Sequence, residues 1–197
     1  MRMRNPKDKD ILISNCDFFY NGFSNNHPIH VEIGMGKGKF ILEMALKYLE
    51  YNFIGVEKYS SVASVAIKKI NKYKPENLRI LITDAINLKE VLSEKIDVIY
   101  LNFSDPWPKD RHAKRRLTSK NYLESFDYLF KNNPHIIMKT DNDDLFDYSL
   151  ESFKDYGYKI NKITYDLHNT NIPNITTEYE EKFSQKGIKI KYVDVIK

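Results

Sequence analysis

Short apolar runs alternate with helical patterns along most of this sequence, and that alternation constrains the fold more than any other feature. The apolar runs lie at 30–33, 53–56, 78–82, 96–103 and 136–138. Each is followed by apolar residues at helical spacing, such as Ile41, Met44 and Ala45 after the first. Such alternation builds a parallel sheet with helices on both faces. Two later strands, at 158–165 and around 188–192, have no clear helix between them, so we expect them to form an antiparallel pair at the sheet edge, with the last strand antiparallel.

The chain has 197 residues, a length that predicts one domain spanning 1–197. Its single cysteine, Cys16, excludes an intrachain disulfide and fits a reducing compartment, so we expect a cytoplasmic protein. No apolar run approaches the ~18 residues of a membrane helix, so we expect no membrane partner. Neither the cysteine nor the five histidines suggest a metal site, and no metal is expected.

Positive charge is concentrated in two segments, although the net charge of the whole chain is only +4. Residues 109–116 hold five Lys or Arg against one Asp, and a basic arm at about 1–10 holds four against two Asp. Concentrated positive charge favours an anionic partner. A solvated basic loop explains the same run equally well from composition alone.

Polar residues follow several of the predicted strands, at the edge where parallel sheets bind ligands. Glycines at 34, 36 and 38 let the chain turn sharply and approach a ligand, although a tight turn alone would also need them. They lack the dinucleotide spacing, which favours a nucleoside without a pyrophosphate. Glu57 lies 21 positions beyond Gly36, a spacing that suits a carboxylate accepting hydrogen bonds from both hydroxyls of a ribose. An exposed glutamate at a strand end is the alternative. Asp84 suits an exocyclic amine or caps a helix.

The loop after the fourth strand is the most specific stretch of the chain. Asp105 ends that strand, two prolines flank Trp107, the only tryptophan, and the basic run follows directly. This arrangement places an acid beside the expected ligand and an anion-binding segment next to it. Trp107 suits either a stacking platform or wedge for a base, or a hydrophobic pin for the loop. His112 suits a phosphate contact or a solvated position.

These motifs resemble the bacterial tRNA (guanine-N7)-methyltransferases, a family of class I S-adenosylmethionine-dependent enzymes. The resemblance is carried by a D-P-W-P-K loop with an R-H-x-K-R-R-L run at 105–117. Further motifs match in the same order: Arg-x-Arg at 2–4, E-I-G-x-G at 32–36, G-V-E at 55–57, D-A at 84–85, K-T-D-N at 139–142 and T-E-Y-E at 177–180. The chain departs from the family pattern at Ser104, Asp110 and Ala113.

The resemblance implies a Rossmann-like class I methyltransferase fold and the transfer of a methyl group to N7 of a guanosine in the tRNA variable loop. It implies that S-adenosyl-L-methionine is bound by Glu32, Gly34, Gly36, Glu57, Asp84 and Asp105. It places Asp105 at the reaction centre. It implies substrate contacts at Lys109, Asp141, Thr177, Glu178, Tyr179 and Glu180. It implies RNA contacts at Arg111, His112, Ala113, Lys114, Arg115 and Arg116. A monomer and a homodimer both remain open.

Methyl transfer to N7 is an in-line displacement at a lone pair, so it requires alignment and electrostatics rather than a strong base. We expect Asp105 to stabilise charge arriving on the guanine, and Asp141 and Glu180 to accept from its N1–H and amino group. The target base lies in folded tRNA, so we expect it to be swung out of its stack. Two alternatives stay open: a methyltransferase acting on a protein or small molecule, and a non-catalytic RNA-binding protein.

Overall fold

Seven strands form one sheet in the computed structural model, which describes residues 8–197. The strands are β1 (Ile29–Ile33), β2 (Asn52–Glu57), β3 (Leu78–Ile82), β4 (Val98–Asn102), β5 (His135–Thr140), β6 (Lys159–Thr164) and β7 (Lys191–Ile196). Their order across the sheet is β3-β2-β1-β4-β5-β7-β6. The predicted Arg-x-Arg motif, at Arg2 and Arg4, lies outside the described residues, as does most of the predicted basic arm.

Seven α-helices accompany the sheet in this part of the chain. They are α1 (Lys9–Ser14), α2 (Lys39–Lys47), α3 (Ser60–Tyr73), α4 (Leu88–Val91), α5 (Lys120–Asp127), α6 (Asp143–Asp155) and α7 (Glu178–Ser184). Short 3₁₀ helices lie at Ala85–Asn87, Asp110–Arg115 and Leu167–Asn169. Among residues 8–197, no helix is both long enough and apolar enough to cross a membrane.

The predicted sheet architecture is confirmed. Strands β1 to β5 pair in parallel, and β7 lies antiparallel between β5 and β6. The position of β7 differs from the expectation, because the alternating residues at 188–190 precede the strand. Central strands such as β4 are buried along their whole length, as a sheet covered on both faces requires.

Helices cover both faces of the sheet, and two apolar clusters hold them there. Ile41 of α2 and Ile67 of α3 pack into one cluster. Phe126 of α5 and Phe146 of α6 pack into the other. Because every β-to-α turn then falls at the carboxyl ends of the parallel strands, the loops after β1 to β5 converge on one edge.

The connection between β6 and β7 crosses this same edge and contains α7, a helix that the apolar pattern does not predict. Thr177 and Glu180 form a capping box that starts the helix. Glutamates in its first turn pair with lysines of three other elements. The pairs are Glu178 with Lys69, Glu180 with Lys139, and Glu181 with Lys39. The segment is therefore fastened across the carboxyl ends of the strands.

Candidate active site

A cavity of about 650 Å³ opens at the carboxyl ends of β1, β2, β3 and β4. Its lining includes Gly34, Glu57, Lys58, Tyr59, Val62, Asp84, Phe103, Asp105, Trp107, Arg115 and Tyr122. The volume suits a nucleoside-sized ligand. Four residues that the sequence predicts as cofactor contacts are thus brought to one cavity. Lys58, Tyr59, Val62 and Tyr122 were not predicted, because a helix start does not show which of its side chains face a ligand.

The glycine turn after β1 adopts backbone angles that other residues rarely take. Gly34, Gly36 and Gly38 have φ values of 78°, 57° and 75°. The Gly36 N–H donates a 3.1 Å hydrogen bond to Glu57 Oε2. A Cβ on Gly38 would lie 2.7 Å from the Cβ of Ala66 in α3. The turn therefore needs glycine both for its path and for the close packing of α2 against α3.

Glu57 is held rigidly at the end of β2. Its Oε2 accepts from Gly36, and its Oε1 accepts a 2.9 Å bond from the Tyr59 N–H. Burial raises the pKa of this carboxyl above its ordinary value, although the backbone hydrogen bonds oppose the shift. Each carboxylate oxygen can accept a second bond, so both remain able to receive a ribose hydroxyl.

Asp84 combines the two roles that the sequence leaves open. It caps the 3₁₀ helix at 85–87 by accepting from the Ile86 N–H, and it lines the cavity. Its other oxygen accepts a 2.6 Å bond from Lys58 Nζ. Partial burial opposes ionisation, yet the bonds from Lys58 and Ile86 outweigh it and hold the pKa of Asp84 below its ordinary value.

Glu32 and Asn102 form a buried polar pair where β1 and β4 end. Asn102 Nδ2 donates a 2.9 Å bond to Glu32 Oε1, while Glu32 Oε2 and Asn102 Oδ1 have no partner. Burial raises the pKa of Glu32 to about 8, although the bond from Asn102 opposes it. Two unpaired buried polar atoms are costly unless a ligand pairs with them. Asn102 lines the cavity and Glu32 lies behind it, so this pair fits the polar amino-acid end of S-adenosylmethionine. Asn102, a polar residue at the end of an otherwise apolar strand, is the sequence signal that could have identified this pair.

Asp105 lies on a strained loop between two unusual backbone positions. Phe103 has a φ of 52° and Trp107 a φ of 43°, in the region that non-glycine residues disfavour. Each such position costs of order 1–3 kcal/mol and persists only where surrounding contacts enforce it. Asp105 is exposed and lines the cavity together with both aromatic residues. The loop thus presents a solvated carboxylate to the cavity.

The basic run folds as the 3₁₀ helix Asp110–Arg115 and borders the cavity directly. Arg115 lies over the Trp107 ring, with its guanidinium carbon 5.0 Å from the ring centroid. His112 meets the same ring edge-on at 5.7 Å. Four of the cationic side chains of the run are exposed: Lys109, Arg111, Lys114 and Arg115. Ala113 is half-buried.

Arg116 differs from the other residues of the run. Only 7% of it is exposed, and its guanidinium donates to the carbonyls of Pro106 and Trp107. The sequence predicts an RNA contact at this position, but the structure turns the side chain inward. Sequence could not distinguish it from Arg115, because the difference arises from how the loop folds back.

Asp141 and Tyr179 meet beside Phe103. The Tyr179 hydroxyl donates a 3.1 Å bond to Asp141 Oδ2, and its ring lies 5.0 Å from that of Phe103. Burial and the neighbouring carboxylate raise the pKa of Tyr179 to about 12, so the hydroxyl remains a donor. Two predicted substrate contacts, one after β5 and one on α7, are thus brought together.

Glu180 lies away from any open surface, unlike the expectation that it binds guanine. It is fully buried, and four donors surround it: Lys139 Nζ at 2.7 Å, His168 Nε2 at 2.8 Å, Asn174 Nδ2 at 2.6 Å and the Thr177 N–H at 3.4 Å. Burial opposes its ionisation, but Lys139 and the other donors outweigh burial and lower its pKa. Its four acceptor positions are filled within the protein. Thr177 is buried as the cap, and Glu178 pairs with Lys69.

The comparisons with known proteins agree with this geometry. A family model described as "Putative methyltransferase" matches residues 26–193. The tRNA (guanine-N(7)-)-methyltransferase of Enterococcus faecalis is 51% identical over 174 residues, which cover 87% of this chain and 81% of that protein. The enzyme of the same name from Lachnoclostridium phytofermentans is 45% identical over 201 residues, covering 95% and 94%. The chain belongs to the tRNA (guanine-N(7)-)-methyltransferase family.

Membership in the tRNA (guanine-N(7)-)-methyltransferase family confirms the resemblance drawn from the motifs and the expected class, an S-adenosylmethionine-dependent methyltransferase. Among solved structures, the precorrin-6y C5,15-methyltransferase of Geobacter metallireducens superposes with a TM-score of 0.62 at 13% identity, over 96% of this chain and 88% of that one. That likeness concerns the fold, and it confirms the predicted class I methyltransferase architecture. Within residues 8–197, no group of three or more His, Cys, Asp or Glu is placed to hold a metal ion.

Proposed function

We propose that this chain transfers a methyl group from S-adenosyl-L-methionine to N7 of a guanosine in the variable loop of tRNA, forming 7-methylguanosine. One observation supports this most directly. The loop at 105–107 joins the nucleoside-sized cavity to the exposed basic 3₁₀ helix, and Arg115 of that helix lines the cavity itself. If the basic helix binds the phosphates of an RNA strand, the bases next to those phosphates lie at the opening of the cavity.

The cavity binds the cofactor through acceptors of matching chemistry. Glu57 accepts from the ribose hydroxyls, and Asp84 accepts from the exocyclic amine of the adenine. Glu32 and Asn102 offer their unpaired oxygens to the amino-acid end. The glycine turn allows the backbone at Gly34 and Gly36 to approach closely. When bound, S-adenosylmethionine supplies a methyl group on a positively charged sulfur.

The reaction requires orientation and charge stabilisation from the protein. Positive charge develops on the guanine as N7 gains the methyl group, and the carboxylate of Asp105 stabilises it. Asp141 accepts from the N1–H and 2-amino group of guanine, and adenine has no donor at either position. Tyr179 orients that carboxylate. Trp107, backed by Arg115, offers a face for the extruded base. Lys109, Arg111 and Lys114 hold the phosphates.

We further propose that residues 1–197 act as one methyltransferase domain, that its basic arm at about 1–10 assists RNA binding, and that the enzyme works in the cytoplasm as a monomer or homodimer. The single cysteine supports a reducing compartment.

The proposed function is tested by incubating the purified chain with radiolabelled S-adenosylmethionine and unmodified tRNA, followed by nucleoside analysis. We expect label in 7-methylguanosine, and a transcript with the variable-loop guanosines replaced by adenosine should lose it. Label in another nucleoside, or transfer only to protein or a small molecule, would contradict the assignment. Retained tRNA binding without transfer to any substrate would instead favour a non-catalytic RNA-binding protein.

A further inference from the structure

Arg116 sits behind the loop that carries Asp105, not on the RNA-facing surface. Its Nε donates a 2.9 Å bond to the Pro106 carbonyl, and its Nη2 donates a 3.1 Å bond to the Trp107 carbonyl. The guanidinium carbon lies 4.3 Å from the ring centroid of Tyr148 in α6. The edge of the guanidinium that carries Nε and Nη2 therefore holds the loop, while one face rests on a helix of the core.

The loop needs an external support of this kind. Pro106 and Pro108 have no N–H, so the loop has fewer donors to stabilise itself. Trp107 has a φ of 43° although it precedes a proline, a position that normally restricts a residue to extended backbone. A planar guanidinium that donates to two consecutive carbonyls fixes the relative orientation of their peptide planes. That orientation determines where Asp105 and Trp107 point.

We propose that Arg116 is a positioning residue, which holds the 105–107 loop so that Asp105 and Trp107 face the cavity. This inference rests on the proposed function where it places Asp105 at the reaction centre. The proposal divides the basic run at 109–116 between two roles, RNA binding and support of the loop. The exposed cationic residues of the run face outward to RNA, whereas Arg116 donates its hydrogen bonds to the loop.

Trp107 is the only tryptophan of the chain, so its fluorescence reports the loop without any assay of activity. We expect Arg116→Met to shift the Trp107 emission and to raise its acrylamide quenching constant roughly twofold or more, because the released loop becomes more exposed. Arg79→Met is a matched control. Arg79 also donates to two carbonyls, of Glu76 and Leu78, and packs on the ring of Phe23, but at β3. It should leave the Trp107 signal unchanged.

Kinetics separate positioning from RNA contact. At saturating tRNA, Arg116→Met should lower the single-turnover rate roughly 10- to 100-fold, because small misplacements of reacting groups have effects of this size. Its salt dependence of tRNA binding should match that of the wild type. Lys114→Met changes an exposed position of the same run. It should reduce the slope of log K for tRNA binding against log salt concentration by ~0.7–0.9, and it should leave the Trp107 fluorescence unchanged.

A conservative variant distinguishes charge from geometry. Arg116→Lys keeps the positive charge but cannot donate to both carbonyls in one plane, so we expect it to behave like Arg116→Met. Full rescue by lysine, or a flattened salt dependence with wild-type fluorescence in Arg116→Met, would overturn the proposal and assign a phosphate contact. If the Arg116 variants do not fold, Tyr148→Leu decides, with Tyr148→Phe as its control. An unchanged Trp107 signal in Tyr148→Leu would also overturn the proposal.

The two proposals fail in different ways. If the wild-type chain methylated no tRNA, the proposed function would fall while the fluorescence of Trp107 still tested the support of the loop. If Asp105→Asn kept full activity, Asp105 would lose its role, but the effect of Arg116 on the loop would stand or fall on the emission and quenching measurements.

Discussion

Lys139 Nζ lies 2.7 Å from Glu180 Oε2, and the two side chains are only 3% and 0% exposed. The pair joins β5 to the first turn of α7, so a core strand holds the segment that crosses the cavity edge. Burial lowers the pKa of Lys139, although Glu180 opposes the shift. Such a pair contributes little by itself, but its disruption leaves one uncompensated charge in the interior.

We therefore expect Glu180→Gln to destabilise the protein by about 3–5 kcal/mol, because Lys139 would remain buried without its counter-charge. Urea denaturation measures the change. Lys69→Met provides the matched control, since it breaks the partly exposed pair with Glu178 on the same helix. That variant should cost at most about 1 kcal/mol. Equal, small effects of the two variants would show that the buried pair does not hold α7.

The pH dependence of stability tests Glu32. Its pKa is about 8 in the folded protein, because burial disfavours the charged form, against about 4.3 in an unfolded chain. Between these values the folded state keeps a proton that the unfolded state releases, so stability falls as pH rises. The slope from this group approaches about 1.4 kcal/mol per pH unit.

The free energy of unfolding of Glu32→Gln should therefore be lowest relative to that of the wild type at acidic pH. The difference should become more favourable to the variant as the pH increases from about 5 to about 7.5. Urea unfolding of both proteins across this range isolates the contribution of Glu32, since the other titrating groups cancel in the difference. A difference that stays constant with pH would show that Glu32 ionises at its ordinary value and that its environment is wetter than the structure indicates.

Glu57 is predicted to carry much of the cofactor affinity. Glu57→Gln replaces a charged acceptor of the ribose hydroxyls by a neutral amide, and a lost charge-assisted hydrogen bond costs ~1.5–3 kcal/mol, or roughly 10- to 150-fold in affinity. Calorimetry with S-adenosylhomocysteine measures the change. Glu50→Gln, at an exposed turn, is the control and should bind as the wild type does. Unchanged affinity in a folded Glu57→Gln protein would remove Glu57 from the site.

The sheet could be predicted from the sequence because its signals are local. Apolar strands, helical periodicity and glycines at strand ends identify β1 to β5 and the edge where their loops meet. The position of β7 could not be predicted in the same way. Lys191 and Asp194 are buried through partners elsewhere in the chain, Lys191 with Asp143 and Asp194 with His135. The buried apolar residues of β7, Val193 and Val195, lie beside these buried charged positions, so their pattern does not show where the strand begins and ends.

The residues of the candidate site also differ in whether local sequence signals predict their position. Glu57 and Asp84 follow strands directly, so their place at the cavity could be predicted from sequence. The burial of Glu180 and Arg116 could not be predicted, because both lie in polar segments where burial depends on how the chain folds back. The T-x-x-E spacing at 177–180 did contain a usable signal, since a capping box already assigns Glu180 to a helix start.

Asp105 is the residue on which the proposed chemistry depends most. Asp105→Asn keeps the shape and one acceptor oxygen but removes the negative charge beside the developing positive charge on guanine. If electrostatics dominate, the single-turnover rate at saturating tRNA should fall by about 10²–10³-fold, the scale of losing one preorganised group. Affinity for S-adenosylhomocysteine should change far less, because Glu57 and Asp84 remain.

Loop geometry also predicts that the Asp105→Asn protein folds normally. The Asp105 side chain is exposed, and the loop is held through the carbonyls of Pro106 and Trp107, which the substitution does not touch. Its Trp107 emission and its urea midpoint should therefore match those of the wild type, so a slow reaction could not be attributed to a displaced loop. A near wild-type rate in this folded variant would leave Asp105 as a turn residue and would place the stabilising charge elsewhere in the cavity.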